Sequence, residues 1–285
     1  MVESTAPNTL QAVVADRLNW GRLPRLRPRN RAEWLFAAYV ASMPLYCLVR
    51  ISGDPTALWA ATALTCAVWF LCALAAARAE HGVRRSGAML VSGFAIALTS
   101  EYLGSRYGVL FGEYDYTDLL GFRLLGEVPM LVPTAWFMML YPSWKIAGFL
   151  TARLRDERAR SAARIVVGAA AMTAWDLSLD PRWVADGAWI WPNGGVYFGI
   201  PLSNFVGWFV TAALIFVAWT PLTRRPAPLR QSTVPQWVYV VTWIGESMAN
   251  VLFWSGPAIG AIVFVAMGLF ALPFVRTKLT ALRAL

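Results

Sequence analysis

Four carboxyl side chains stand inside or at the edge of apolar stretches, where an ionisable group is costly to bury and is a functional candidate by default. Asp176 and Asp180 are spaced i, i+4 within DLSLD, so a helix sets them on one face. Two like carboxyls held close in a poorly solvated place favour a proton on one of them, which makes that one an acid. Glu101 precedes Tyr102 and the glycines Gly104 and Gly108, and Glu246 lies midway along a later apolar run with Asn250 one turn on. Trp175, Trp183, Trp189, Trp191, Tyr197 and Trp208 surround the acid pair in sequence. Aromatic faces stabilise cations. Asn193 and Asn204 add neutral polar groups able to hold a water. Acid beside aromatic lining suits chemistry that passes through a carbocation on an apolar substrate. The candidate catalytic residues are therefore Asp176, Glu101, Asp180 and Glu246. The candidate substrate-binding residues are Trp175, Tyr102, Trp191, Tyr197, Asn204, Trp208 and Asn250. Plainer roles compete. Asp180 is placed to cap a turn into Pro181, Asp176 to pair with Arg106 or Arg182, and Glu246 to act as polar glue between helices. Any single tryptophan also serves as an anchor at the headgroup level.

The elements that must position these residues are apolar spans. Of 285 residues, 58% are hydrophobic and 14% charged, against about 25% charged in a soluble domain. A spanning helix takes roughly 20 residues. The pattern predicts an all-α, polytopic integral membrane bundle with eight spans near 33–51, 56–78, 86–104, 128–149, 162–179, 200–221, 235–255 and 257–275. Residues 1–32 read as a basic cytoplasmic tail, with a surface helix over Leu10, Val13, Val14 and Leu18 as one reading and a disordered tail as the other. Residues 33–276 read as the transmembrane domain and 277–285 as a cytoplasmic tail. No cleavable signal peptide is expected. The eight-span alternation puts all but four of the 25 basic residues on one side, the exceptions being Arg50, Arg106, Arg123 and Arg182. That asymmetry fits the positive-inside rule with both termini cytoplasmic, and it accounts for the net charge of +9 without nucleic acid.

Two long loops are expected on the outer side, from about Ser105 to Glu127 and from about Asp180 to Gly199, rich in Gly, aromatics and acids. Plain connectors are shorter, so these loops are expected to fold back over the mouth of the bundle. Cys47, Cys66 and Cys72 sit in apolar segments without a CxxC pair, and His81 is the only histidine, so neither a disulfide framework nor a metal site is expected. Phosphate-loop, HExxH and GxSxG motifs are absent. DLSLD matches the DxxxD spacing of membrane prenyltransferases, but no second Asp-rich motif accompanies it.

Two stretches, EYLGSRYGVLFGEYDYTDLLGFRLLGEVPMLVPTAWFMMLYP (101–142) and TAWDLSLDPRWVADGAWIWPNGGVYFGIPLSNFVGWF (173–209), resemble the CruF-type carotenoid hydratases, a family that includes the bisanhydrobacterioruberin hydratases. The resemblance implies addition of water across the terminal C1–C2 double bond of an acyclic carotenoid ψ-end, giving a tertiary alcohol, with no cofactor. The implied partners are an acyclic carotenoid in the bilayer, membrane lipids and other carotenoid enzymes, and the implied location is the cell membrane. A prenyltransferase or lycopene elongase built on DLSLD, a carotenoid cyclase, and a carrier or transporter gated by Glu246 are the competing readings.

Overall fold

The structure, a computed structural model, describes residues 30–223, 232–254 and 256–283, the side chain of Pro55 excepted. The expected surface helix over residues 10–18 lies outside the described residues. So does Ser255, which the sequence sets with Gly256 and Pro257 in a tight turn between the last two spans; Gly256 has φ 103°.

Each helix begins and ends for local reasons. Helix α1 (Arg31–Ser52) is capped by Asn30, whose side chain accepts from the Glu33 N–H and donates to the Glu33 carboxyl. It stops at Gly53, with φ 71°. Helix α2 (Pro55–Tyr107) has Asp54 as N-cap and Pro55 in its first turn. The sequence reading places a loop between 78 and 86. The structure reduces it to one residue, Gly82 (φ 78°, ψ 168°), which breaks α2 into two arms. That conformation is open to glycine at little cost and strained for other residues.

Helix α3 (Leu131–Thr151) runs through the middle of the bundle and is buried along most of its length. It packs on α2 and on the three helices α4 (Glu157–Ala185), α6 (Val234–Leu252) and α7 (Pro257–Arg283). Helix α5 (Leu202–Thr223) covers α4 and α2. Helices α1, α2, α4, α5 and α7 are long and apolar enough to cross a membrane. Helices α3 and α6 are of similar length and carry buried polar side chains, Lys145 in one and Gln236, Glu246 and Asn250 in the other. Trp34, Leu48, Val91, Val206 and Leu269 are among many large apolar side chains exposed on the outer surface. A water-facing surface rarely presents so many large apolar side chains.

Helix α4 runs further than the sequence implies. Residues 180–185 read as loop, yet the helix continues through Pro181 to Ala185, so Asp180 caps nothing. Proline lacks the N–H that would bond the carbonyl four residues back. Here the Tyr197 hydroxyl supplies that bond, donating to Leu177 O at 2.9 Å.

The two long loops therefore span 108–130 and 186–201. Four two-residue strands lie in or beside them: β1 (Asp115–Tyr116), β2 (Arg123–Leu124), β3 (Val128–Pro129) and β4 (Trp189–Ile190). Strands β2 and β3 form a hairpin within the first loop, while β1 and β4 pair antiparallel and join the two loops.

Candidate functional site

A cavity of about 440 Å³ opens inside the loop-bearing end of the bundle. Its wall is almost wholly apolar and comes from α1, both arms of α2, α3, α4, α5, α6 and the two loops. Three carboxyls reach that wall: Glu101, Asp180 and Glu246.

The acids are set by helix geometry. Asp176 and Asp180 share one face of α4, and both carboxyls accept from the Nδ2 of Asn204 on α5, Asp176 at 3.1 Å and Asp180 by a shorter bond. Ser178, half a turn round, points the other way and donates to Glu246 Oε2 on α6 at 2.9 Å. Asn250 completes that second group, donating to Ser178 Oγ at 2.7 Å and to the Glu246 carbonyl at 2.9 Å. Glu101 sits on the second arm of α2. Its Oε2 accepts from the hydroxyls of Tyr114 and Tyr116 at 2.6 and 2.7 Å, and its Oε1 from Trp136 Nε1 at 2.8 Å.

An aromatic chain crosses the cavity wall between these groups. Trp136 stacks on Trp208 at 4.1 Å with planes 14° apart. Trp208 meets the edge of Trp175 at 6.0 Å, Trp175 meets Trp69 at 5.4 Å, and Trp69 meets Tyr39 at 5.0 Å. The faces of such rings carry partial negative charge.

The loops fold back over this end. Tyr116 pairs with Trp189 through β1 and β4, Tyr114 lies 5.4 Å from Trp191, and Trp191 Nε1 donates to Phe111 O at 3.1 Å. The rim is fastened by charge. Arg50 at the end of α1 grips Asp186 with two bonds of 2.8 and 3.0 Å. Arg182 lies among the rings of Tyr46, Trp183 and Trp254 and bonds the Tyr46 hydroxyl. Arg106 pairs with Glu127, so neither arginine offered as a partner for Asp176 takes that role.

Of the residues singled out from sequence, Glu101, Asp180, Glu246, Trp175, Trp191, Asn204 and Trp208 line the cavity. Asp176 and Asn250 stand one layer behind, bonded to lining residues and fully buried. Tyr102 and Tyr197 are not on the wall. Tyr102 packs near Tyr107 at 6.3 Å, and Tyr197 braces α4. Sequence reasoning missed Tyr114, Tyr116 and Trp136 around Glu101, Ser178 beside Glu246, and Trp69. The alternation in EYDY was the available signal for the tyrosines, since two residues apart in extended chain face the same way.

The carotenoid biosynthesis protein family model matches residues 58–272, which takes in both loops and the four carboxyls Glu101, Asp176, Asp180 and Glu246. The chain belongs to that family. It is also similar to a bisanhydrobacterioruberin hydratase of Haloarcula japonica, 32% identical over 131 residues. That match covers 46% of this chain and 43% of the relative, so the chain spans less than half of the relative's length. No solved structure matches the chain.

Proposed function

We propose that the protein is a carotenoid hydratase, adding water across the terminal C1–C2 double bond of an acyclic carotenoid ψ-end. One observation carries the reading: a carboxyl of a hydrogen-bonded acid pair, Asp180, opens onto an apolar cavity beside stacked tryptophans. A hydrocarbon end group fits such walls, and only an acid strong enough to protonate an alkene gives it chemistry there.

The pair Asp176–Asp180 holds the transferable proton, with Asp180 facing substrate and Asp176 behind it. The π electrons of C1=C2 take the proton at C2 and leave a tertiary cation at C1. The faces of Trp175 and Trp208 stabilise that cation. A water adds through oxygen to C1, and its surplus proton returns to the aspartate pair. Acid catalysis of this kind contributes about 10²–10⁴-fold, so positioning and cation stabilisation supply the rest. The reaction consumes only water and alkene and gives back the proton it borrows, so this route calls on no cofactor.

The same reading places the chain in the cell membrane with eight crossings, the two arms of α2 counted separately, and both termini cytoplasmic. The cavity then lies near the outer boundary, where water is available; it is scarce in the hydrocarbon centre. The carotenoid enters from the lipid.

Purified protein incubated with an acyclic carotenoid in H₂¹⁸O and no additive should yield an alcohol carrying the heavy oxygen. Product without label excludes hydration. Product of unchanged mass identifies a cyclase, and unaltered pigment that only changes location identifies a carrier.

A further inference from the structure

The carboxyls in the cavity differ in what surrounds them. Asp176 and Asp180 face each other and share one amide, that of Asn204. Glu101 instead has three donors of its own. The indole Nε1 of Trp136 is a donor only, so Oε1 is an acceptor. The two phenols converge on Oε2 at 2.6 and 2.7 Å, lengths typical of hydroxyls bound to an ionised oxygen. The remaining titratable groups within reach are Asp176 and Asp180 on α4, which interact with Glu101 electrostatically. Among the described residues no lysine or arginine forms an ion pair with it. The ring that bonds Glu101 is also the ring stacked on Trp208, so the carboxyl sits at the edge of the aromatic wall.

We infer that Glu101 is the fixed anion opposite the carbocation and not a proton donor, and that Tyr114 and Tyr116 are positioning residues that hold it ionised. The inference rests on the hydratase reading for its catalytic half only. A buried negative charge fixed before reaction lowers the barrier to a developing positive one without reorganisation, which is where electrostatic catalysis gains most. It also gives the loop over this end a role: it carries Tyr114 and Tyr116 to Glu101, and its strand β1 is paired to β4 of the other loop.

Two measurements test it. Infrared difference spectra of the purified protein, assigned by Glu101→Gln, should show no protonated Glu101 carboxyl at neutral pH. A protonated band should appear in Tyr114→Phe/Tyr116→Phe, and in weaker form in Tyr116→Phe alone. In the hydration assay, Glu101→Gln should lower kcat by about 10²–10³-fold, the scale of losing one preorganised electrostatic partner, with KM little changed. Glu101→Asp should restore part of the loss. The double Phe variant should lose rate at neutral pH and regain it as pH rises, a limb the parent protein lacks. A protonated Glu101 band in the parent, or full activity in Glu101→Gln, overturns the inference. If the parent makes no hydrated product but its Glu101 is ionised, the hydratase reading falls and the ionised, tyrosine-held carboxylate stands.

Discussion

Phe111, from the first long loop, lies against bare backbone at Gly207 on α5, where a methyl group would fall 2.6 Å from its ring. On the other side the same ring meets Gly104 of α2, where a methyl group would fall 2.5 Å away. Phe111 is thus wedged between two helices through a pair of glycines, and its carbonyl accepts the Trp191 indole from the second loop. Burying a phenylalanine is worth about 1.5–3 kcal/mol, and here the gain pins the cover of the cavity to its walls.

Gly207→Val should therefore dislodge the loop without breaking α5, because valine remains compatible with a helix. Overpacking of this kind costs about 1–3 kcal/mol. The expected result is a lower melting temperature in detergent and a hydration rate reduced with it. An unchanged rate would show that the wedge does not hold the cover in place.

Asp180→Asn should abolish hydration, by at least the roughly 10²-fold that a general acid supplies, while the protein still inserts and purifies as a single species. Asp176→Asn should also abolish it, since the pair shares the proton. Product mass spectrometry and gel filtration check both halves. Full activity in Asp180→Asn would remove the proposed acid.

Glu246→Gln should be milder. Ser178 is a neutral partner that a glutamine oxygen can still engage, and Asn250 holds the backbone carbonyl of residue 246 whatever its side chain. We expect hydration within about tenfold of the parent, which corresponds to about 1.4 kcal/mol in the barrier. A loss as deep as that of Asp180→Asn would move the proton donor to α6.

Tyr197→Phe separates bracing from substrate binding. The hydroxyl donates to Leu177 O at the place where Pro181 leaves α4 short of a bond. A hydrogen bond of this sort is worth about 0.5–1.5 kcal/mol. Thermal stability should fall by that order while KM for the carotenoid stays the same.

The spacing of Asp176 and Asp180 was legible because a helix turns a four-residue interval into a shared face, and the structure places both on Asn204. The wording of 101–142 and 173–209 pointed to the family that the match over 58–272 shows. Which aspartate meets the cavity was not legible, since that depends on the rotation of α4 against α5. Tyr114 and Tyr116 escaped because the first loop turns back to bring them to Glu101, and no helical spacing announces such a turn. The end of α4 escaped because Pro181 looks like a terminator until Tyr197 repairs the backbone. The break at Gly82 was read as a longer connector because charge clusters there, Arg78, Glu80, Arg84 and Arg85, look like solvated loop. Glu80 instead binds Lys145 at 2.6 Å and Tyr141 at 3.1 Å across to α3.

The pairing of β1 with β4 has a consequence for synthesis. A ribosome delivers Asp115 and Tyr116 while α4 and the second loop are still unmade, so the first strand waits without its mate until Trp189 and Ile190 emerge. Closure of the cavity is accordingly a late event. The cavity also takes lining residues from α5 and α6, so its wall is complete only when those later segments arrive.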